Sequence, residues 1–233
     1  GVDYIVALGS TAETATLSLK ERDEVLRFII NRTNGRVPIV AGMGSNNTAD
    51  LVEQLHSFNL DGVVAILSVV PYYNKPSQEG IYRHFMAVAD ASPVPVIIYN
   101  VPGRTGLNMT AATTLRLAHA TPKIVAIKEA CGNIEQMQAI LDGRPEEFLV
   151  LSGDDGITVE LVKRGGDGVI SVAANAFPER FCGCVHNAMK GNIALAESEI
   201  AELTPAIDLL FKEGNPTGVK AMTAAMGITR SEV

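Results

Sequence analysis

The sequence has little cysteine: three thiols in 233 residues, Cys131, Cys182 and Cys184, an odd number without C-x-x-C spacing. That argues against a disulfide framework or a zinc knuckle and suits a reducing cytoplasm, with all three read as small buried side chains. No apolar run approaches the roughly 20 residues of a membrane helix, and no basic segment leads into an apolar one near the start. Cations are scarce as well. Lys and Arg number 19 against 26 Asp and Glu, a net charge of -7. A clustered basic surface for nucleic acid or an anionic membrane is therefore not expected, and an anionic substrate must find local cations. A complete G-x-G-x-x-G is also lacking: the first strand ends in Gly9-Ser10-Thr11-Ala12-Glu13, and Gly42-Met43-Gly44 has no third glycine. An open dinucleotide-binding sheet is correspondingly disfavoured.

What the sequence does contain is repetition. Short apolar, β-branched runs alternate with longer amphipathic stretches, as parallel strands covered by helices do. Seven such runs occur: Tyr4 to Gly9, Pro38 to Gly42, Gly62 to Val70, Val94 to Asn100, Ile124 to Glu129, Phe148 to Gly153 and Gly168 to Ala174. They recur every roughly 20 to 34 residues, about one βαβ unit each. Between them Ser18 and Glu21 form an S-x-x-E capping box, Leu51, Leu55 and Phe58 share a helix face, and Ile81, Phe85 and Val88 share another. The expected fold is a (β/α)8 TIM barrel followed by C-terminal helices, with barrel units over 1–176 and a helical region over 177–233 in a single domain. Seven runs where the barrel has eight, in a chain that opens at Gly1 almost directly into a strand, suggest that a first strand and helix are missing.

In such a barrel the site lies at the C-terminal ends of the strands. Lys128 follows Ile124-Val125-Ala126-Ile127, a run expected to be buried, where an ammonium is expensive to keep. If Lys128 points inward, Glu129 points away and does not pair with it. A lysine that has lost its proton is a nucleophile toward a carbonyl and forms an imine that serves as an electron sink; a strand-end lysine snorkelling to solvent fits the same residue equally well. Tyr99 is a candidate proton carrier beside Ser10 and Thr11, or a rim aromatic with its hydroxyl in water. No histidine is placed for that task, since His56, His84, His119 and His186 all fall in helical stretches. Arg104 is a candidate clamp for a carboxylate, or a solvated loop charge. Asp154 and Asp155 lack the neighbours of a catalytic metal set, and capping of the next helix explains an Asp there equally well, so no metal is expected.

Taken in order, Gly9-Ser10-Thr11-Ala12-Glu13, Pro71-Tyr72-Tyr73-Asn74-Lys75-Pro76, Tyr99-Asn100-Val101-Pro102-Gly103-Arg104-Thr105-Gly106, Ile127-Lys128-Glu129-Ala130, Ser152-Gly153-Asp154-Asp155 and Gly168-Val169-Ile170-Ser171 resemble the pyruvate-dependent lyase family of dihydrodipicolinate synthase and N-acetylneuraminate lyase. The resemblance spans nearly the whole chain. It implies a Schiff base between Lys128 and pyruvate, proton transfer by Tyr99, and a relay through Ser10 and a Tyr73 supplied by a neighbouring subunit. It further implies that Thr11, Gly153 and the main chain near Ile170 hold pyruvate, and that Arg104 binds the carboxylate of L-aspartate 4-semialdehyde. No cofactor is implied beyond the covalent imine. Tyr72, Tyr73 and Arg104 look more like the synthases of lysine biosynthesis than the sugar-acid lyases, which stay the alternative, with a silent binding protein on the same fold as a third. The family pattern often has threonine at Ser10 and glycine at Ala12. Its lysine-sensitive members carry histidines where this chain has Leu19 and Arg22, so feedback by lysine is expected to be weak or absent, although Asn46, Asp50 and Tyr72 remain in place to line such a site. Assembly as a dimer of dimers is implied too.

Overall fold

The seven apolar runs all become strands of one parallel sheet. In the computed structural model, which describes residues 1–230, they are β1 (Ile5–Ala7), β2 (Ile39–Gly42), β3 (Ala65–Val69), β4 (Val96–Asn100), β5 (Ile124–Glu129), β6 (Leu149–Ser152) and β7 (Gly168–Val169), hydrogen-bonded in simple sequential order. Helices connect them on the outside: α1 (Leu19–Thr33), α2 (Thr48–Ser57), α3 (Gln78–Ala91), the short α4 (Pro102–Thr105), α5 (Ala111–Ala120), α6 (Ile134–Gly143) and α7 (Thr158–Lys163). The sheet curls so far that its two edges face each other, and the Tyr4 hydroxyl beside β1 donates to the Val169 carbonyl of β7 at 3.4 Å.

Alternation along each strand divides the core in two. Val40, Ala65, Leu67, Ile97, Ala126 and Leu151 fill the interior of the curl. The opposite faces of the strands pack against the helices, whose buried positions recur at three- and four-residue spacing, as Ile81, Phe85 and Val88 do on α3. Full burial of side chains of this size is worth about 1.5–3 kcal/mol each. The capping box at Ser18 forms with both of its hydrogen bonds and starts α1. After β7 come α8 (Pro178–Met189), α9 (Ile193–Phe211) and α10 (Thr217–Ala225), which enclose a separate apolar cluster around Phe181, Leu203, Ile207 and Val219. Among the described residues no helix is long and apolar enough to cross a membrane.

Six of the seven strands are shorter than their apolar runs, β3 and β7 by the most. β3 begins only at Ala65 because Gly62, at φ 83, still belongs to the turn. β7 stops at Val169 instead of reaching Ala174: the amides of Val172 and Ala173 donate to the Asp155 carboxylate, and a 3-10 turn follows at Ala173–Asn175. A side chain has taken over donors that a ladder would need.

His84 is a buried member of α3. Thr48 Oγ1 lies 2.8 Å from its Nδ1, its Nε2 has no partner, and burial pulls its pKa down to about 4. Above pH 6.5 the ring is neutral folded or unfolded and contributes nothing to the pH dependence. Between pH 6.5 and 4 the unfolded chain takes up a proton that the folded ring refuses, so stability falls with pH. At pH 5 this loss amounts to about 2 kcal/mol relative to pH 7.5. Urea melts of wild type and His84→Gln at the two pH values check it: the gap between the midpoints should shrink in the variant, and an unchanged gap refutes the assignment.

Candidate active site

Lys128 reaches the interior because β5 carries a bulge. Val96 pairs with Ile124, but Ile97 pairs with Ala126, so Val125 is an extra residue in the ladder. Ile124 lies on the helix side, Val125 and Ala126 both lie on the interior side, and Ile127 returns to the helix side. The inserted residue resets the alternation. Without it the period of two counted from Ile124 would turn Lys128 outward.

With it, Lys128 sits in register beside Tyr99 of β4, its Nζ 4.3 Å from the centre of the phenol ring, and only 8% of the residue is exposed. Burial pulls the amine down to about 8, the nearby Asp155 carboxylate opposes that shift, and the Arg104 guanidinium adds to it. Burial raises the Tyr99 phenol, while the charge on Arg104 and the neighbouring Ser10 hydroxyl act the other way. Ser10 belongs to a 3-10 turn, Ser10–Ala12, that begins directly after β1. The turn is braced by the Thr14 hydroxyl, which donates to the carbonyls of Leu8 and Gly9.

Lys128, Tyr99, Ser10 and Arg104 line a cavity of about 930 Å³ at the C-terminal ends of the strands, together with Thr11, Gly153 and Ile170. Gly153 has to be a glycine. A Cβ there would stand 2.6 Å from the Ala130 Cβ and 3.1 Å from the Lys128 Cε, so the missing side chain is the room in which the lysine lies. The Ile170 amide is already committed to the Ser152 carbonyl at 2.9 Å, so it is not the donor at this point. Thr11 Oγ1 accepts from Asn215 Nδ2 at 2.8 Å and keeps its own O–H to donate; Arg104 Nη2 donates to the Asn215 carbonyl at 2.7 Å and keeps its remaining N–H groups.

Other expected residues lie elsewhere. Tyr73 is 87% exposed at φ 71 on the loop after β3 and does not line the cavity of its own chain. Of Asn46, Asp50 and Tyr72, only Tyr72 lines the adjoining cavity of about 290 Å³, which it shares with Glu13 and Arg22. The Asn46 carbonyl accepts from Asn74 Nδ2 at 3.0 Å, and Asp50 is exposed in the first turn of α2. Three features of the surroundings were not picked out from the sequence. Asp155 is buried and its charge acts on Lys128, whereas its neighbour Asp154 is half-buried, borders the cavity and accepts from the Gly156 amide. Asn215 comes from the loop between α9 and α10, 204 residues from Thr11, and no local pattern announces such a contact. The Asn100–Glu129 pair, behind Tyr99 and Lys128, is the third.

A curled parallel sheet with a desolvated lysine and a tyrosine converging at its C-terminal end defines a lyase of the α/β-barrel class. The chain belongs to the Dihydrodipicolinate synthetase family, whose model matches residues 1–233. It is 52% identical to a 4-hydroxy-tetrahydrodipicolinate synthase of Phocaeicola vulgatus over 233 residues, covering 100% of this chain and 78% of the relative. Among solved structures it is similar to the chloride-inhibited dihydrodipicolinate synthase from Acinetobacter baumannii complexed with pyruvate, at 39% identity and TM-score 0.96, covering 100% of this chain and 80% of that one. A monomeric dihydrodipicolinate synthase variant matches with 34% identity and TM-score 0.97, covering 100% of this chain and 79% of the other.

Gly153→Ala should overpack the lysine. The expected result is a loss of about 1–3 kcal/mol in stability and at least a tenfold fall in turnover, read by thermal melts and steady-state kinetics. Retention of full turnover would show that Lys128 has room to spare.

Proposed function

We propose that the chain condenses pyruvate with L-aspartate 4-semialdehyde to 4-hydroxy-tetrahydrodipicolinate, the reaction named for its relatives. The observation that carries the reading is the in-register pair of Lys128 and Tyr99, both buried, at the end of β4 and β5. The neutral Lys128 amine attacks the keto carbon of pyruvate. Tyr99 protonates the carbinolamine oxygen, which leaves as water, and the product is an imine. Loss of a methyl proton then gives an enamine whose carbon attacks the aldehyde of the second substrate, and the substrate's own amine displaces Lys128 as the ring closes. Each step moves a proton, and Ser10, which lines the cavity with Tyr99, passes it on. Arg104, at the cavity wall with free N–H groups, holds the second substrate's carboxylate, while the Thr11 hydroxyl donates to the carboxylate of pyruvate.

In this reading Tyr73 completes the relay of a second copy of the chain. Its full exposure on a loop with left-handed backbone at both Tyr73 and Lys75 supports that role, since the side chain is displayed away from its own core. The assembly is accordingly a homo-oligomer, a dimer of dimers.

Borohydride added with pyruvate should fix a mass on Lys128 in wild type and none in Lys128→Ala, measured by peptide mass spectrometry; a folded wild type without the adduct refutes the mechanism. Turnover with aspartate semialdehyde but not with N-acetylneuraminate separates the synthase from a sugar-acid lyase. Tyr73→Phe should lower kcat roughly tenfold, within the range of a lost proton-transfer group, while light scattering still shows at least a dimer. A fully active monomer would remove Tyr73 from the relay.

A further inference from the structure

Glu129 follows Lys128 in the strand, so it faces the helices on the outside of the sheet, and it is completely buried. A carboxylate in that position is costly unless its lone pairs are used. Here they are. One oxygen accepts from the Cys131 amide and from Asn100 Nδ2, both at 2.9 Å; the other accepts from Asn100 Nδ2 and Gln136 Nε2, both at 3.0 Å. Asn100 is the residue after Tyr99, and it pairs in register with Glu129 as Tyr99 pairs with Lys128. Behind the two inward groups there is therefore an outward pair, joined by an amide that spans both oxygens of a carboxylate.

The same cluster holds a third part of the site. Asn100 Oδ1 accepts from the Met109 amide at 3.1 Å, Gln136 Nε2 donates to the Met109 carbonyl at 3.0 Å, and Gln136 Oε1 accepts from Asn108 Nδ2 at 2.8 Å. Met109 and Asn108 close the segment 101–109 that carries Arg104. Glu129 itself does not line the cavity, and the charges that act on Lys128 are those of Asp155 and Arg104. Its influence on the reaction is through position.

We infer that Glu129 is a positioning residue: with Asn100 it forms a clasp on the outer face that fixes the relative height of Tyr99 and Lys128 on the inner face and anchors the Arg104 segment. The inference rests on the imine reading of Lys128. Its physical basis is the bulge. Three residues before Lys128 the ladder between β4 and β5 loses its register. An apolar pair would bind the strands as firmly but would let them slide, whereas a carboxylate held at once by Asn100, the Cys131 amide and Gln136 has a fixed place.

Two variants test this. Glu129→Gln keeps the shape but turns one acceptor into an N–H donor aimed at the donors of Asn100, Cys131 or Gln136. Gln136→Met removes a single donor from a half-buried helix position. The readout is reductive methylation of Lys128 by formaldehyde and cyanoborohydride between pH 6 and 10, measured site by site by mass spectrometry well below the melting temperature. For Glu129→Gln the midpoint should rise by about one pH unit as water reaches the amine, which slows methylation at pH 7.5 about tenfold. Gln136→Met should move the same way by less. In parallel kcat should fall at least tenfold, with KM for pyruvate within threefold. A lowered melting temperature with midpoint and rate unchanged in either folded variant overturns the proposal, since Glu129 then only holds the strand. If wild-type Lys128 methylates but never traps pyruvate, the proposed function fails, and the comparison of midpoints still decides the clasp.

Discussion

The structure depends on the desolvation of one amine. In water a lysine at its ordinary value near 10.5 is neutral about once in a thousand molecules at pH 7.5; at about 8 the neutral fraction is roughly a quarter. That gain of two orders of magnitude in nucleophile comes first from burial, which Asp155 tempers and Arg104 reinforces. Every neighbouring choice follows from keeping the amine dry. Gly153 leaves the volume empty, Tyr99 offers a ring face instead of water, and the bulge at Val125 turns the side chain inward in the first place.

How much of this is legible in the sequence differs by level. The strands are, because parallel strands covered on both faces leave nearly unbroken apolar runs, and Ile124 to Glu129 is a strand over its full length. The cap at Ser18 is local chemistry and forms as its spacing predicts. That Lys128 faces inward is not legible. Ile124-Val125-Ala126-Ile127 contains no glycine or other mark of a bulge, and the phase shift is visible only against the partner strand. Asp154 and Asp155 are identical letters with opposite fates: one caps a turn, and the other is buried holding the amides of Val172 and Ala173. That second contact is also why the last strand is shorter than its apolar run.

The C-terminal helices belong to the site as well as to the core. The loop between α9 and α10 delivers Asn215, whose carbonyl takes one N–H of Arg104 and whose amide reaches Thr11. Lys220 of α10 pairs with Glu13, directly after the turn that carries Ser10, at 2.8 Å. Residues near both ends of the chain thus set the shape of one cavity. A contact across some two hundred residues is invisible to any reading of local pattern, which is why Thr11 and Arg104 were legible as candidates and their common partner was not.

Burial moves Lys128 and Tyr99 in opposite directions. It lowers the lysine, whose charged form is the protonated one, and raises the tyrosine, whose charged form is the deprotonated one. Both are thereby biased to their neutral states in the same cavity, so a neutral amine and a neutral phenol coexist over the pH range in which the amine is free. Arg104 acts on both in the same direction, because its charge lowers the phenol as well as the amine. A cation at the cavity wall thus makes Tyr99 the better acid at the same time as it disfavours protonation of Lys128. The arrangement needs no histidine, and the four that the chain has lie in helices away from the strand ends.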